Sequence, residues 1–332
     1  MSESFSPDAV ADALGRSGGG FGRGQETYFD HPVLHKSHWR WEIVSYFWAG
    51  GIMSGSAVLS VLAKYAGDED DAALVRSGRW LGFVGSAVSG VLLVKDLGRP
   101  ERFLNMLRIV KLRSPMSIGV WSLLAFSSAA GLELCDQLGE DRILPFDPAA
   151  FVPKVLRDAL FAISGALMSS YTGVLVSATA IPAWYHARRH IPATFVCSAL
   201  STACAANVAL LALGGGSHST VRKLERIESV AGLCELALLL DWQRRLGRDA
   251  QPMFGGATGK ALKTWTMLAG ICIPLLLNVP AWLPRRPASR FRLSAVLGAG
   301  LVLYGGYVLR RSVIAAGRTS ADDPRPVLRR PS

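Results

Sequence analysis

The sequence predicts an all-α polytopic membrane protein with eight transmembrane helices in one bundle. Three observations carry this. Half of the 332 residues are hydrophobic and the mean hydropathy is positive, +0.28. The apolar residues come in blocks of about 20, the length that crosses a bilayer core. The cations lie between the blocks rather than in a patch, so the net charge of +11 does not indicate a nucleic-acid partner. The predicted spans are 43–63, 78–94, 116–135, 158–181, 192–214, 228–243, 262–283 and 292–312. Residues 1–40 read as a flexible arm, 41–314 as the membrane domain and 315–332 as a disordered basic tail.

The arm has no apolar core followed by a small-residue cleavage site, so it does not read as a secretory signal. Its last part, His31 to Glu42, crowds three His and two Trp against span 1. Trp39 is either an interfacial anchor or part of a site. Glu42 opens the apolar run, where a carboxylate is favoured by the helix dipole or serves a function. Span 1 continues with Gly50, Gly51, Ser54, Gly55, Ser56 and Ala57, a density of small residues that allows close helix approach in lipid.

Span 2 ends in Lys95-Asp96-Leu97-Gly98-Arg99-Pro100-Glu101-Arg102-Phe103, which runs on to Ser117 with six cations and two carboxylates. Gly98 and Pro100 stop the helix. Ser114-Pro115 reads as N-cap and first turn of span 3. Two crossings return the chain to its starting face, so His38, Glu42, Asp96, Arg99, Ser114, Ser117 and Trp121 share one membrane boundary. Ionisable groups there are functional candidates.

In span 4, Tyr171 and Thr172 are either polar glue between helices or site residues. Pro182 kinks or ends that helix before Trp184, Tyr185 and His186. Glu228 and Glu235 share a face of span 6 and serve either as proton-relay groups or as partners of nearby Arg. Spans 7 and 8 read as plain apolar helices with arginine borders, Arg310 and Arg311 among them. With the N-terminus inside, 23 of the 36 Lys and Arg fall on the N-terminal side. The positive-inside rule therefore places both termini in the cytoplasm of a cell-membrane protein.

The five cysteines lie in or beside apolar segments, none in a CxxC pair, and read as packing residues. No His lies in mid-span where a haem between helices would find its axial ligands. No cysteine cluster suits an iron–sulfur centre, and no phosphate loop is present. The chain is therefore expected to hold no metal and no covalently bound cofactor.

Trp41 to Gly55, Asp96-Leu97-Gly98-Arg99-Pro100-Glu101-Arg102-Phe103, Ser114-Pro115-Met116-Ser117 with Trp121, Tyr171-Thr172-Gly173, and Pro182-Ala183-Trp184 together resemble the NrfD/PsrC family, over about 40–310. The resemblance implies a cofactor-free membrane subunit of polysulfide reductase and related molybdopterin oxidoreductases, formate dehydrogenase type included. It implies a quinone substrate, menaquinone or ubiquinone, bound near one membrane face. An iron–sulfur [4Fe–4S] ferredoxin-like subunit docks on that face, with a molybdopterin or tungstopterin catalytic subunit beyond it. The corresponding positions for quinone binding and proton transfer are His38, Trp41, Glu42, Asp96, Arg99, Tyr171 and Tyr185. Some members use Asn and His at the first-helix site, near which Trp41 and Glu42 stand here. Arg102, Arg108, Lys111 and Arg113 on the cationic loop suit partner docking.

The chemistry follows. Quinone reduction takes two electrons and two protons, so the carbonyls need hydrogen-bond donors and the developing anion needs a cation or an acid. Desolvation at the lipid boundary favours the protonated form of a carboxyl group. Glu42 or Asp96 then delivers protons, Arg99 and His38 steady charge, and the isoprenoid tail lies along the small residues of span 1. The competing readings are a proton- or ion-translocating transporter, which would be expected to show internal repeats and broken helices, and a purely structural membrane anchor.

Overall fold

The computed structural model describes residues 39–98, 107–108, 110–111, 114–144, 148, 150–282 and 291–322. His38, Arg99, Arg102 and Arg113 lie outside the described residues, as do most of the arm and the end of the tail. The described residues form eight long helices and no strand: α1 Trp41–Ala66, α2 Ala72–Asp96, α3 Pro115–Glu140, α4 Lys154–Ser177, α5 His190–Gly214, α6 His218–Leu246, α7 Gly256–Trp282 and α8 Phe291–Asp322. All but α6 are long and apolar enough to cross a membrane. Alternate crossings put the N-terminal ends of α1, α3, α5 and α7 at one face with the C-terminal ends of α2, α4, α6 and α8.

Local sequence sets the boundaries around the cationic loop. α2 ends at Asp96, and Gly98 follows at φ +66°, a conformation that glycine adopts without a steric penalty. Ser114 caps α3 by accepting from the Ser117 amide at 3.4 Å, and Pro115 occupies the first turn. α4 stops at Ser177, and Pro182 opens a separate five-residue helix, Pro182–His186, before α5.

α1 is the hub, with 72% of its apolar window buried against 33% for α2. It packs on α2, α4, α5 and α8. Its small residues make this possible. A Cβ on Gly55 would stand 2.6 Å from the Ala203 Cβ of α5, and one on Gly51 would collide with Arg310 of α8. The small-residue face of α1 is therefore filled by neighbouring helices. It is not the open groove expected for an isoprenoid tail, because each missing Cβ is used to bring another helix closer.

α6 falls short of the apolar criterion because its sequence is interrupted by charge, yet it takes its place in the bundle. Its acids turn inward: Glu228 is buried and accepts from Asn278 Nδ2 of α7 at 3.0 Å. Glu235 is buried beside Ser198 and Arg310. Ile227, Val230, Leu233 and Leu240 face outward.

α7 and α8 are not plain apolar rods. α7 is π-helical over Leu262–Cys272, where Thr266 Oγ1 donates to the Gly305 carbonyl of α8 at 2.9 Å. Arg310 is not a border residue but is fully buried. Its Nε donates to the Phe47 carbonyl at 3.0 Å, and its Nη1 to Ser198 Oγ at 3.1 Å and the Gly306 carbonyl at 2.8 Å. α8 continues to Asp322, past the boundary expected at 314.

Candidate functional site

At the face where α1 and α3 begin and α2 and α4 end, the four helices leave a cleft of about 70 Å³. α1 contributes Ile43, Tyr46 and Phe47; α2 gives Leu93 and Asp96; α3 gives Met116, Gly119 and Val120; α4 gives Tyr171 and Leu175. Trp39 and Leu97 complete it. The walls are apolar with few polar groups, the pattern of a site for a mostly apolar small molecule.

Asp96 sits at the solvent-exposed edge of this cleft. It makes no hydrogen bond or ion pair among the described residues, and its electrostatic neighbours are Glu42 and Arg40. Glu42 is mostly buried. Lys95 Nζ lies 3.9 Å from its Oε1, while Oε2 has no hydrogen-bond partner among the described residues. Lys95 also stands over the exposed Trp41 ring, 4.3 Å from its centroid. Trp39, just ahead of α1, stacks on Trp184 at 5.3 Å and meets Phe47 edge-on. It is thus part of the packing at the cleft.

Tyr171 is buried in the α4 wall, and its hydroxyl donates to the Pro115 carbonyl at the start of α3. Gly119 is what makes room for it, since a Cβ there would overlap the Tyr171 hydroxyl. Tyr46 is 2% exposed and lines the cleft on α1 beside Tyr171. Tyr46 is not among the residues the sequence singles out. The only signal for it is a phenol one turn beyond Glu42 in an otherwise apolar run.

The structure thus brings Asp96 and Tyr171 to one cleft, with Glu42 and Trp41 beside it. It places Tyr185 elsewhere, half-exposed on the short helix with Arg188 over its ring at 4.5 Å. Arg108 and Lys111 are exposed at the same face as the cleft, and the Lys111 amide donates to Ser117 Oγ at 3.0 Å.

Two other cavities flank the bundle. One of about 510 Å³ lies at the cleft's face between the short helix, α7 and α8, with a His186–Asp249 pair at 3.0 Å on its rim. The other, about 740 Å³, opens at the opposite face against Lys64, Arg79 and Glu140. Both are open, and most of the charges that line them are paired within the protein. Among the described residues no group of three or more His, Cys, Asp or Glu could hold a metal ion, and the cysteines are free.

The family model NrfD, polysulphide reductase, matches residues 33–321. The C subunit of polysulfide reductase from Wolinella succinogenes is 25% identical over 304 residues, which span 85% of this protein and 94% of that one. The protein NrfD homolog of Haemophilus influenzae is 25% identical over 279 residues, spanning 75% of this protein and 87% of that one.

Proposed function

The chain belongs to the NrfD family of integral membrane proteins, and from that premise we propose that it is the quinone-reactive subunit of a multi-subunit oxidoreductase. It passes two electrons between a membrane quinone, menaquinone or ubiquinone, and an iron–sulfur subunit docked at the cleft face. A molybdopterin or tungstopterin subunit lies beyond that partner. The name of the Wolinella relative, one lettered component of a reductase, supports the subunit reading.

The observation that carries the proposal is the cleft itself. It is apolar, it lies at the membrane boundary between α1, α2, α3 and α4, and at its edge stands a carboxyl group without a partner among the described residues. Quinone plus two electrons plus two protons gives quinol. Asp96 exchanges those protons with solvent, since it touches both the cleft and the exposed rim, and Glu42 with Lys95 sets the local charge. The exposed Arg108 and Lys111 present cations to an approaching partner, which favours electron delivery near the same rim. The excess of cations on this face supports its orientation toward the cytoplasm.

Asp96→Asn tests the reading. Quinone-coupled turnover of the assembled complex should be abolished, while electron transfer from the partner to a soluble dye stays intact. Unchanged quinone turnover would take Asp96 out of the site.

A second reading, proton movement through the bundle, draws support from Glu228, Glu235 and Arg310, buried in mid-bundle. It predicts acidification or alkalinisation inside proteoliposomes during quinone turnover, lost in Glu235→Gln.

A further inference from the structure

The cavity of about 510 Å³ at the cleft's face shares no lining residue with the cleft. It lies between the short helix Pro182–His186, the start of α7 and the end of α8, where all three reach the membrane boundary. Its lining mixes small apolar groups with His186, Asp249, Thr258 and Ser320.

Hydrogen-bond donors converge on it from each wall. α7 begins at Gly256, and the Gly259 amide donates to the Gly255 carbonyl at 2.8 Å, so the amides of Gly256, Ala257 and Thr258 precede the helical ladder. Ser320 is 3% exposed, and its Oγ accepts from the Ala183 amide at 3.2 Å, which leaves its own proton to donate. His186 uses Nδ1 on Asp249 at 3.0 Å and keeps Nε2.

Charge around the cavity has one sign. Arg188 and Arg189 follow His186 on the link to α5, Lys260 follows Thr258 on α7, and Arg318 precedes Thr319 on α8. All four are exposed, and none makes an ion pair among the described residues. The one carboxylate of the lining, Asp249, is already held by His186. Cations left unmatched around a polar hollow draw an anion.

The surface further into the membrane narrows the choice of anion. On the outward side of the same two helices, Trp265 of α7 and Tyr304 of α8 meet edge-on at 5.3 Å, both half-exposed, and Leu268 is exposed. Tryptophan and tyrosine facing outward there mark the lipid interface. A ligand with an anionic head and apolar tails fits both parts of this surface, whereas a free anion or an acidic peptide fits only the first.

We propose that the cavity binds the headgroup of an anionic phospholipid of the phosphatidylglycerol class. The α7 amides and the Ser320 hydroxyl donate to the phosphate, Lys260 and Arg318 balance its charge, and Asp249 accepts from a glycerol hydroxyl. The acyl chains lie over Trp265 and Leu268. Basic hollows between membrane helices at the cytoplasmic boundary suit such headgroups.

The test is native mass spectrometry of the full-length chain in detergent with equimolar dioleoyl-phosphatidylglycerol and dioleoyl-phosphatidylcholine. One phosphatidylglycerol should be retained with about tenfold preference, and Lys260→Gln or Arg318→Gln should each lower that preference about fivefold, the worth of one cation beside an anionic headgroup. Ala257→Trp, which fills the cavity without removing a charge, should abolish the preference while thermal unfolding stays at the wild-type temperature. Arg142→Gln, an exposed cation at the opposite face, should leave it unchanged.

Equal retention of the two lipids overturns the proposal, as does a preference that survives the cavity variants. Displacement of phosphatidylglycerol by millimolar inorganic phosphate overturns it in favour of a free anion. Loss of a partner subunit from the purified complex in Lys260→Gln/Arg318→Gln, with lipid retention unchanged, overturns it in favour of an acidic protein segment.

Discussion

Helices α1 to α4 build two polar ends of opposite design. At the end away from the cleft, Arg79 of α2 is buried among four side chains from one face of α3. Its Nε donates to Glu133 Oε2, its Nη2 to Asp136 Oδ2 and its Nη1 to Glu140 Oε2, each at 2.9 Å, and Nη1 also reaches Gln137 Oε1 at 3.1 Å. Arg157 of α4 donates to Asp136 at 3.1 Å, and Lys64 of α1 holds both oxygens of Asp158 at 2.8 Å. At the cleft end, among the described residues, Glu42 has one unpaired oxygen, and the Asp96 carboxyl makes no hydrogen bond or ion pair. The same four helices thus hold a charge-matched network at one face and carboxyl groups without full pairing at the other. A network whose charges are matched inside the protein fixes structure. Groups left without partners are available to something that is not part of the chain.

That contrast can be broken most severely at Arg79. Arg79→Met would leave Glu133 and Asp136 buried with their main cation gone, and breaking a buried ion pair from one side costs about 3–5 kcal/mol. Chemical denaturation in detergent should show the loss. Asp96→Asn, measured in parallel, should leave stability within about 0.5 kcal/mol of wild type, as expected for a group at an exposed edge. If the two variants lose equal stability, the distinction between the ends fails.

A smaller effect is expected at Arg310, which reaches behind the cleft to the Phe47 carbonyl and lies close to Glu235. Arg310→Lys keeps the charge but cannot reproduce the three directed contacts of the guanidinium. A destabilisation of about 1–3 kcal/mol should follow, together with weaker quinone binding, since Phe47 forms part of the cleft. Lost stability with unchanged quinone affinity would show that the pinning of α1 does not reach the site.

The bundle was legible in the sequence because apolar blocks of membrane-spanning length have few other uses. The meeting of Glu42 and Asp96 at one face follows from counting crossings, whereas Tyr171 enters only through the family resemblance. What escaped has a common physical cause. Arg310 and Glu235 each look out of place in an apolar segment, and only three-dimensional packing brings them together, so one reads as a border and the other as an interruption. Tyr46 looks like any aromatic in a membrane helix. The tie made by the Tyr171 hydroxyl depends on where Gly119 and Pro115 fall on another helix. The small residues of α1 signalled close approach, but the sequence could not distinguish a helix neighbour from a lipid tail.

The smallest effect marks the boundary of the site. The family resemblance names Tyr185 with Tyr171 among the quinone-site positions. Pro182 instead starts a new short helix, which carries Tyr185 to the surface against Arg188. Trp184, its neighbour, turns inward, stacks on Trp39 and donates to the Val313 carbonyl at 2.8 Å. Tyr185→Phe should therefore change stability by no more than about 0.5 kcal/mol and leave quinone affinity unchanged. Trp184→Phe should loosen Trp39 and, through it, the cleft. If Tyr185→Phe weakened quinone binding as much as Asp96→Asn, the site would have to extend along the short helix, and the cleft between α1, α2, α3 and α4 would be only part of it.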